Sequence, residues 1–262
     1  MAQYTGLTVE QDGGVVTVTL NRPPVNAVDL VMYRELRDLF VEIDQVGPAA
    51  RVVVLTGAGK HFCAGNDLDD FATMDRENVR ERMFGVREAF FAIQECAVPV
   101  VGAVAGAALG TGLALAASCD FVVAADDAVF GLPELSVGVH GGARHLGRLV
   151  GEPVVRWMYF TGQRLTGDEM KALGAVVAVV PRDQLLDRAR DEAKRIAAFS
   201  PTAVRMGKRG LNDIEFLDVR RGYEHEQGLT ARMMDHPDSK IALEASRSGE
   251  APVYPEVEPG ST

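Results

Sequence analysis

A lone acid among apolar and small neighbours can shuttle protons near neutral pH, and Glu134 in "FGLPEL" is such a residue. Desolvation lifts a carboxyl pKa toward the range where the group both takes and gives a proton. Its plainer reading is a helix first-turn glutamate, favourable there for its charge. Three glycine turns invite other chemistry, and each fails taken alone. "TGAGKH" has Val54 where a nucleotide phosphate loop needs its first glycine, and His61 where it needs Ser or Thr. "GTG" at 110–112 would be a dinucleotide fingerprint only with glycine at 115, which is Leu115. "HGG" at 140–142 resembles an esterase oxyanion loop, but no GxSxG supplies a nucleophile.

Other chemistries are disfavoured by composition. Cys63, Cys96 and Cys119 form no CxxC pair and the five histidines form no HExxH, so neither disulfides nor a metal site is expected. The 262 residues carry 37 acidic against 27 basic side chains, a net charge of -10. A nucleic-acid surface would show a basic stripe, so no nucleic-acid partner is expected. The opening "MAQYTGLTVEQDGG" lacks the basic end and apolar run of a signal peptide, and a cytoplasmic location is expected.

The elements that must hold Glu134 follow from periodicity. From Cys96 to Cys119 no residue is charged, a run longer than the ~18 that suggests a membrane span. Yet it holds Pro99, Gly102, Gly106, Gly110 and Gly112, and is flanked by Glu95 and Asp120 instead of Lys and Arg. A buried strand, a tight turn and a helix read better than a span. "GVVTVTL" reads as a half-buried strand, and "RVVVLTG", "PVVGAVAG", "DFVVAA" and "AVVAVV" as strands covered on both faces. Asp29 caps a helix with Met32, Leu36, Leu39, Phe40, Ile43 and Val46 on one face, stopped at Gly47-Pro48. "TGDE" at 166–169 is a capping box opening a helix that Gly174 closes. Trp157 and Met158 in "PVVRWMYF" read as core. After Ser200-Pro201 the chain reads helical to about Arg247 and then ends in a Pro-rich acidic stretch. Strands alternating with helices give an α/β class with substantially parallel sheet. Residues 1–200 form the core, 201–250 a helical segment and 251–262 an extended or disordered tail.

In chain order, "NRPPVNAVD", "KHFCAGNDLDDF" and "GAALGTGLALAASCDFVVAADDAVFGLPE" closely resemble motifs of the enoyl-CoA hydratase/isomerase (crotonase) family. The likeness spans almost the whole chain, and the three motifs in register are far more specific than any alone. It implies a crotonase-like α/β superhelix of strand–strand–helix units, followed by a helical segment that builds trimers, often paired into hexamers. It also implies an acyl-CoA substrate whose thioester carbonyl becomes an enolate-like oxyanion, with coenzyme A part of the substrate and no separate cofactor. By this match the oxyanion donors are the N–H groups of Ala64 and Thr111, and Glu134 is the catalytic acid/base. Val25, Ala27, Ala64, Asn66, Asp67 and Leu68 match the clamp on the adenine and pantetheine. Asp67 reads equally as a helix cap.

Two departures narrow the chemistry. Hydratases of the family carry a second glutamate three residues after the oxyanion glycine; here Thr111 replaces that glycine and Ala114 stands where the glutamate would be. Single-glutamate arrangements occur among the family's double-bond isomerases. The loop "SVGVHGGARHL" is shorter than the family's, which brings His140 close in sequence to Glu134, as a substitute acid/base or an exposed loop residue. The resemblance thus implies an enoyl-CoA hydratase/isomerase; a non-catalytic acyl-CoA-binding homologue is the alternative. A Clp-type serine protease is set aside, because no Ser/His/Asp set falls in a matching context.

Overall fold

The structure is a computed structural model that describes residues 4–255. Residues 251–255 carry neither helix nor strand, and the rest of the expected tail lies outside the described residues. The strands are β1 (Leu7–Asp12), β2 (Val15–Leu20), β3 (Val52–Gly57), β4 (Val100–Val104) and β5 (Ala107–Leu109). They continue as β6 (Phe121–Ala125), β7 (Val129–Gly131), β8 (Leu165–Thr166) and β9 (Ala178–Val180). One sheet has the order β1-β2-β3-β4-β6-β9, parallel throughout except for the β1–β2 hairpin. A second, smaller sheet has the order β5-β7-β8.

The helices of the first half are α1 (Leu30–Val41), α2 (Ile43–Val46), α3 (Leu68–Ala72), α4 (Val79–Gln94) and α5 (Thr111–Ser118). Those of the second half are α6 (Ala143–Leu146), α7 (Glu152–Thr161), α8 (Gly167–Ala172) and α9 (Leu185–Ala197). Last come α10 (Pro201–Ile214), α11 (Val219–Met234) and α12 (Pro237–Ser248). Asp29, Thr166 and Ser200 each accept a backbone N–H at the start of α1, α8 and α10, and Thr166 with Glu169 completes a capping box. The helix expected to run to Gly47 is broken at Glu42 into α1 and α2.

The apolar runs of β2, β3, β4 and β6 are explained by cover on both faces, β2 being more buried than its alternation suggests. Of "AVVAVV" only Ala178–Val180 form a strand, part-buried at the sheet edge, and Val177 is exposed. Val16, Val18, Val53, Leu55, Val100 and Val122 pack in a core with Leu36, Phe40, Ile93 and Leu113 from α1, α4 and α5. Their alternating neighbours Val15, Val52, Val54, Val101 and Val123 pack with Leu185, Ala189 and Ala193 of α9. Between β4 and β5 the chain turns at Gly106 and leaves the large sheet for the small one before entering α5. This strand–strand–helix step places the N-terminus of α5 against the turn that follows β3.

α10 is fastened to the body by ion pairs, Arg205 to Asp44 and Lys208 to Asp120, with both cations largely buried. Leu211 of α10, Phe216 and Leu217 in the turn after it, and Val219 at the start of α11 are exposed in the protomer. Met158 is buried as expected, but Trp157 is not core: it is 47% exposed. Helical spacing shows which residues share a face, not whether that face is covered.

Candidate active site

Three segments meet at the site, and backbone contacts fix their spacing. Asn26, in left-handed backbone at φ 53 and buried, donates from its side-chain amide to the carbonyls of Ala58 (2.9 Å) and His61 (2.7 Å). That holds "NRPPVNAV" against the turn after β3. Within the turn, Cys63 N–H donates to Ala107 O, and Leu109 N–H donates to Cys63 O, both at 3.0 Å. The first turn of α5 rests on the same strand: a Cβ on Gly112 would lie 2.0 Å from Cys63 O, so only glycine permits the approach.

The direction of each amide decides its use. Ala64 N–H donates to Val25 O at 3.0 Å. The expectation that Ala64 supplies an oxyanion donor is therefore corrected, because its hydrogen is already engaged within the fold. Val28 N–H donates to Gly65 O and Asp67 N–H to Val28 O, both at 2.9 Å, so in this parallel bridge Asn66 is the residue whose amide faces away from Val28. Among the described residues the Asn66 N–H has no hydrogen-bond acceptor. Thr111 opens α5, where the first-turn N–H groups lack intrahelical partners and carry the positive end of the helix dipole. Two amides from separate segments are thus available to an oxygen.

Glu134 follows Pro133 at the start of a short 3-10 turn and is buried. Gly110, at φ 54, makes room for it: a Cβ there would stand 2.9 Å from Glu134 Oε1. Glu134 Oε2 is buried with no hydrogen-bond partner. Burial pushes its carboxyl group above the ordinary range, opposed in part by a backbone N–H. One turn along α5 from Thr111, Ala114 is buried and offers no second acid.

The remaining expected residues divide. Val25 and Ala27 lie at the same seam, their carbonyls accepting from Ala64 N–H and Arg22. Leu68 is exposed. Asp67 caps α3 through Asp70 N–H at 2.8 Å and pairs with Arg22 at 2.7 Å; the amide, then the guanidinium, hold its carboxyl below the ordinary range. His140 is exposed on its loop, with Nδ1 3.0 Å from the Tyr159 hydroxyl. Among the described residues no three His, Cys, Asp or Glu side chains cluster as metal ligands. A residue the sequence did not single out is Tyr33, whose hydroxyl lies 2.6 Å from Asn66 Oδ1 and 2.7 Å from Thr111 Oγ1. In "DLVMYREL" it looks like one more member of a helix core face.

Two vacant amides beside one buried acid are an arrangement that can hold a carbonyl oxygen as it gains negative charge. A family model described as enoyl-CoA hydratase/isomerase matches residues 10–249. The chain belongs to the enoyl-CoA hydratase/isomerase (crotonase) family, whose chemistry is that of acyl-CoA thioesters. A protein of Rhodococcus jostii (strain RHA1), (7aS)-7a-methyl-1,5-dioxo-2,3,5,6,7,7a-hexahydro-1H-indene-carboxyl-CoA hydrolase, is 41% identical over 227 residues, 86% of this chain and 88% of its own. The hydrolase of the same name from Mycobacterium tuberculosis (strain H37Rv) is 38% identical over 83% of this chain and 88% of its own. The crystal structure of an enoyl-CoA hydratase from Bacillus anthracis superposes with a TM-score of 0.90 at 33% identity, covering 95% of this chain and 99% of that one.

Proposed function

We propose that the protein hydrolyses a cyclic ketoacyl-CoA, using Glu134 as its one acid/base and the amides of Asn66 and Thr111 to hold the thioester oxygen. The observation that carries this reading is the single buried carboxylate beside two vacant amides, with Ala114 where a second acid would complete a hydration pair. The likeness to two hydrolases acting on a dioxo-indene-carboxyl-CoA supports it and suggests the substrate class. Glu134 takes a proton from water as the water oxygen bonds to a ring ketone carbon. The adjacent ring C–C bond then breaks, and its electron pair passes into the thioester as an enolate. Each preorganised donor at the enolate oxygen contributes about 3–4 kcal/mol. Glu134 returns the proton to carbon, leaving a ring-opened acid with its thioester intact.

A second reading is isomerisation of a 3-enoyl-CoA, which also needs one base to move one proton between carbons. The deciding experiment incubates purified protein with the dioxo-indene-carboxyl-CoA, a 3-enoyl-CoA and crotonyl-CoA, with products resolved by mass. Gain of one water with CoA retained, on the bicyclic substrate alone, is the expected result. Release of free CoA would replace ring hydrolysis with thioester hydrolysis. Conversion of the 3-enoyl-CoA alone would favour the isomerase. Fast hydration of crotonyl-CoA would overturn the single-carboxylate reading, and no turnover of any would favour a non-catalytic CoA-ester binder.

A further inference from the structure

The oxyanion donors proposed above come from two separate segments. Tyr33 on α1 joins them. Its ring is buried and stands edge-on to Phe90, with centroids 6.0 Å apart. Its hydroxyl reaches Asn66 Oδ1 at 2.6 Å and Thr111 Oγ1 at 2.7 Å. A carbonyl oxygen only accepts, so the Tyr33 O–H donates to Asn66, and the Thr111 hydroxyl must then donate to Tyr33. Burial pushes the phenol further above its ordinary value, so the hydroxyl keeps its proton. The Thr111 hydroxyl is thereby turned toward Tyr33, which settles how a side chain is accommodated at this position.

We infer that Tyr33 is a positioning residue that, by bonding the side chains of Asn66 and Thr111 at once, sets the separation and aim of their two main-chain N–H groups on the thioester oxygen. The inference rests on the reading of those amides as the oxyanion donors. It extends that reading to a residue that acts through the side chains of the two donor residues. Misplacing such groups by about 1 Å costs on the order of 10²-fold in rate, whereas a buried hydroxyl that merely satisfies itself would affect stability alone.

The test measures the thioester carbonyl stretch of isotope-labelled hexanoyl-CoA bound to the protein, by infrared difference spectroscopy. In the wild type the stretch should move to lower frequency than in water, since two donors polarise it. Tyr33→Phe, which removes one oxygen atom, should lose most of that displacement. On the substrate the protein turns over, it should lower kcat about 10–100-fold with KM nearly unchanged, as for a misplaced oxyanion donor. Thr111→Val breaks the same relay from the other end and should give the same spectral loss, with the double variant no worse than either single one. That second variant decides the matter if Tyr33→Phe does not fold. A wild-type displacement retained in folded Tyr33→Phe or Thr111→Val overturns the inference. No displacement in the wild type instead overturns the donor assignment on which it rests.

Discussion

At position 134 burial and chemistry pull in opposite directions. Glu134→Gln keeps the side chain's size and removes its titration. Turnover should disappear while calorimetric titration still shows CoA-ester binding; a rate within about tenfold of wild type, below the usual acid–base contribution, would remove Glu134 from the mechanism. Because its folded pKa is raised, the stability Glu134 contributes is full below the ordinary carboxyl value and is lost as pH rises through the folded one. Glu134→Gln should therefore melt higher than wild type at neutral pH, by about 2–4 °C per kcal/mol gained, and lose that advantage in acid. Ala114 offers the converse experiment. Ala114→Glu would supply the second carboxylate, and where the variant folds, crotonyl-CoA hydration should rise by about 10²–10⁴-fold. A folded variant with unchanged hydration would detach position 114 from the choice of reaction.

At the scale of elements, what was legible was local. Asp29, Thr166 and Ser200 announce helix starts because a cap needs only its own next few residues. The Val-rich runs announce buried strands because both faces of the sheet are covered. What was not legible depends on distant pairing. Whether Ala64 or Asn66 turns its amide outward is fixed by Val25 and Val28, which claim Ala64 N–H and the groups flanking Asn66. Motif matching alone chose the wrong one of the two. Tyr33 was missed for a related reason, since its partners lie on other segments. α6 carries a further consequence of packing. His145 lies against Phe90, and burial, then Arg148 and Arg144, lower its pKa to about 4. Unfolding thus takes up a proton between pH 6.5 and about 4, so the stability held by neutral His145 is lost as pH falls through that window. His145→Phe should flatten the fall of melting temperature with pH there; an unchanged slope would assign it to other groups.

For the whole molecule, the C-terminal helices decide what can be stable alone. α10 is tied to the body through Arg205 and Lys208, yet Leu211, Phe216 and Val219 remain open to solvent. Exposed large apolar groups in such number favour burial against another copy, and we propose a homotrimer or a pair of trimers. Light scattering should give three or six times the chain mass, whereas a monomer at micromolar concentration would sink the proposal. The contact of Gly112 with Cys63 O reaches further than the protomer's geometry. Every residue except proline carries a main-chain N–H, so only a change to proline deletes the proposed donors at 66 and 111 outright. A lineage carrying this scaffold can exchange the residue at 114, and with it the reaction, while the main-chain amides are inherited intact. Glycine at 112 is a further exception, a position where any added Cβ would meet Cys63 O and push the two segments apart.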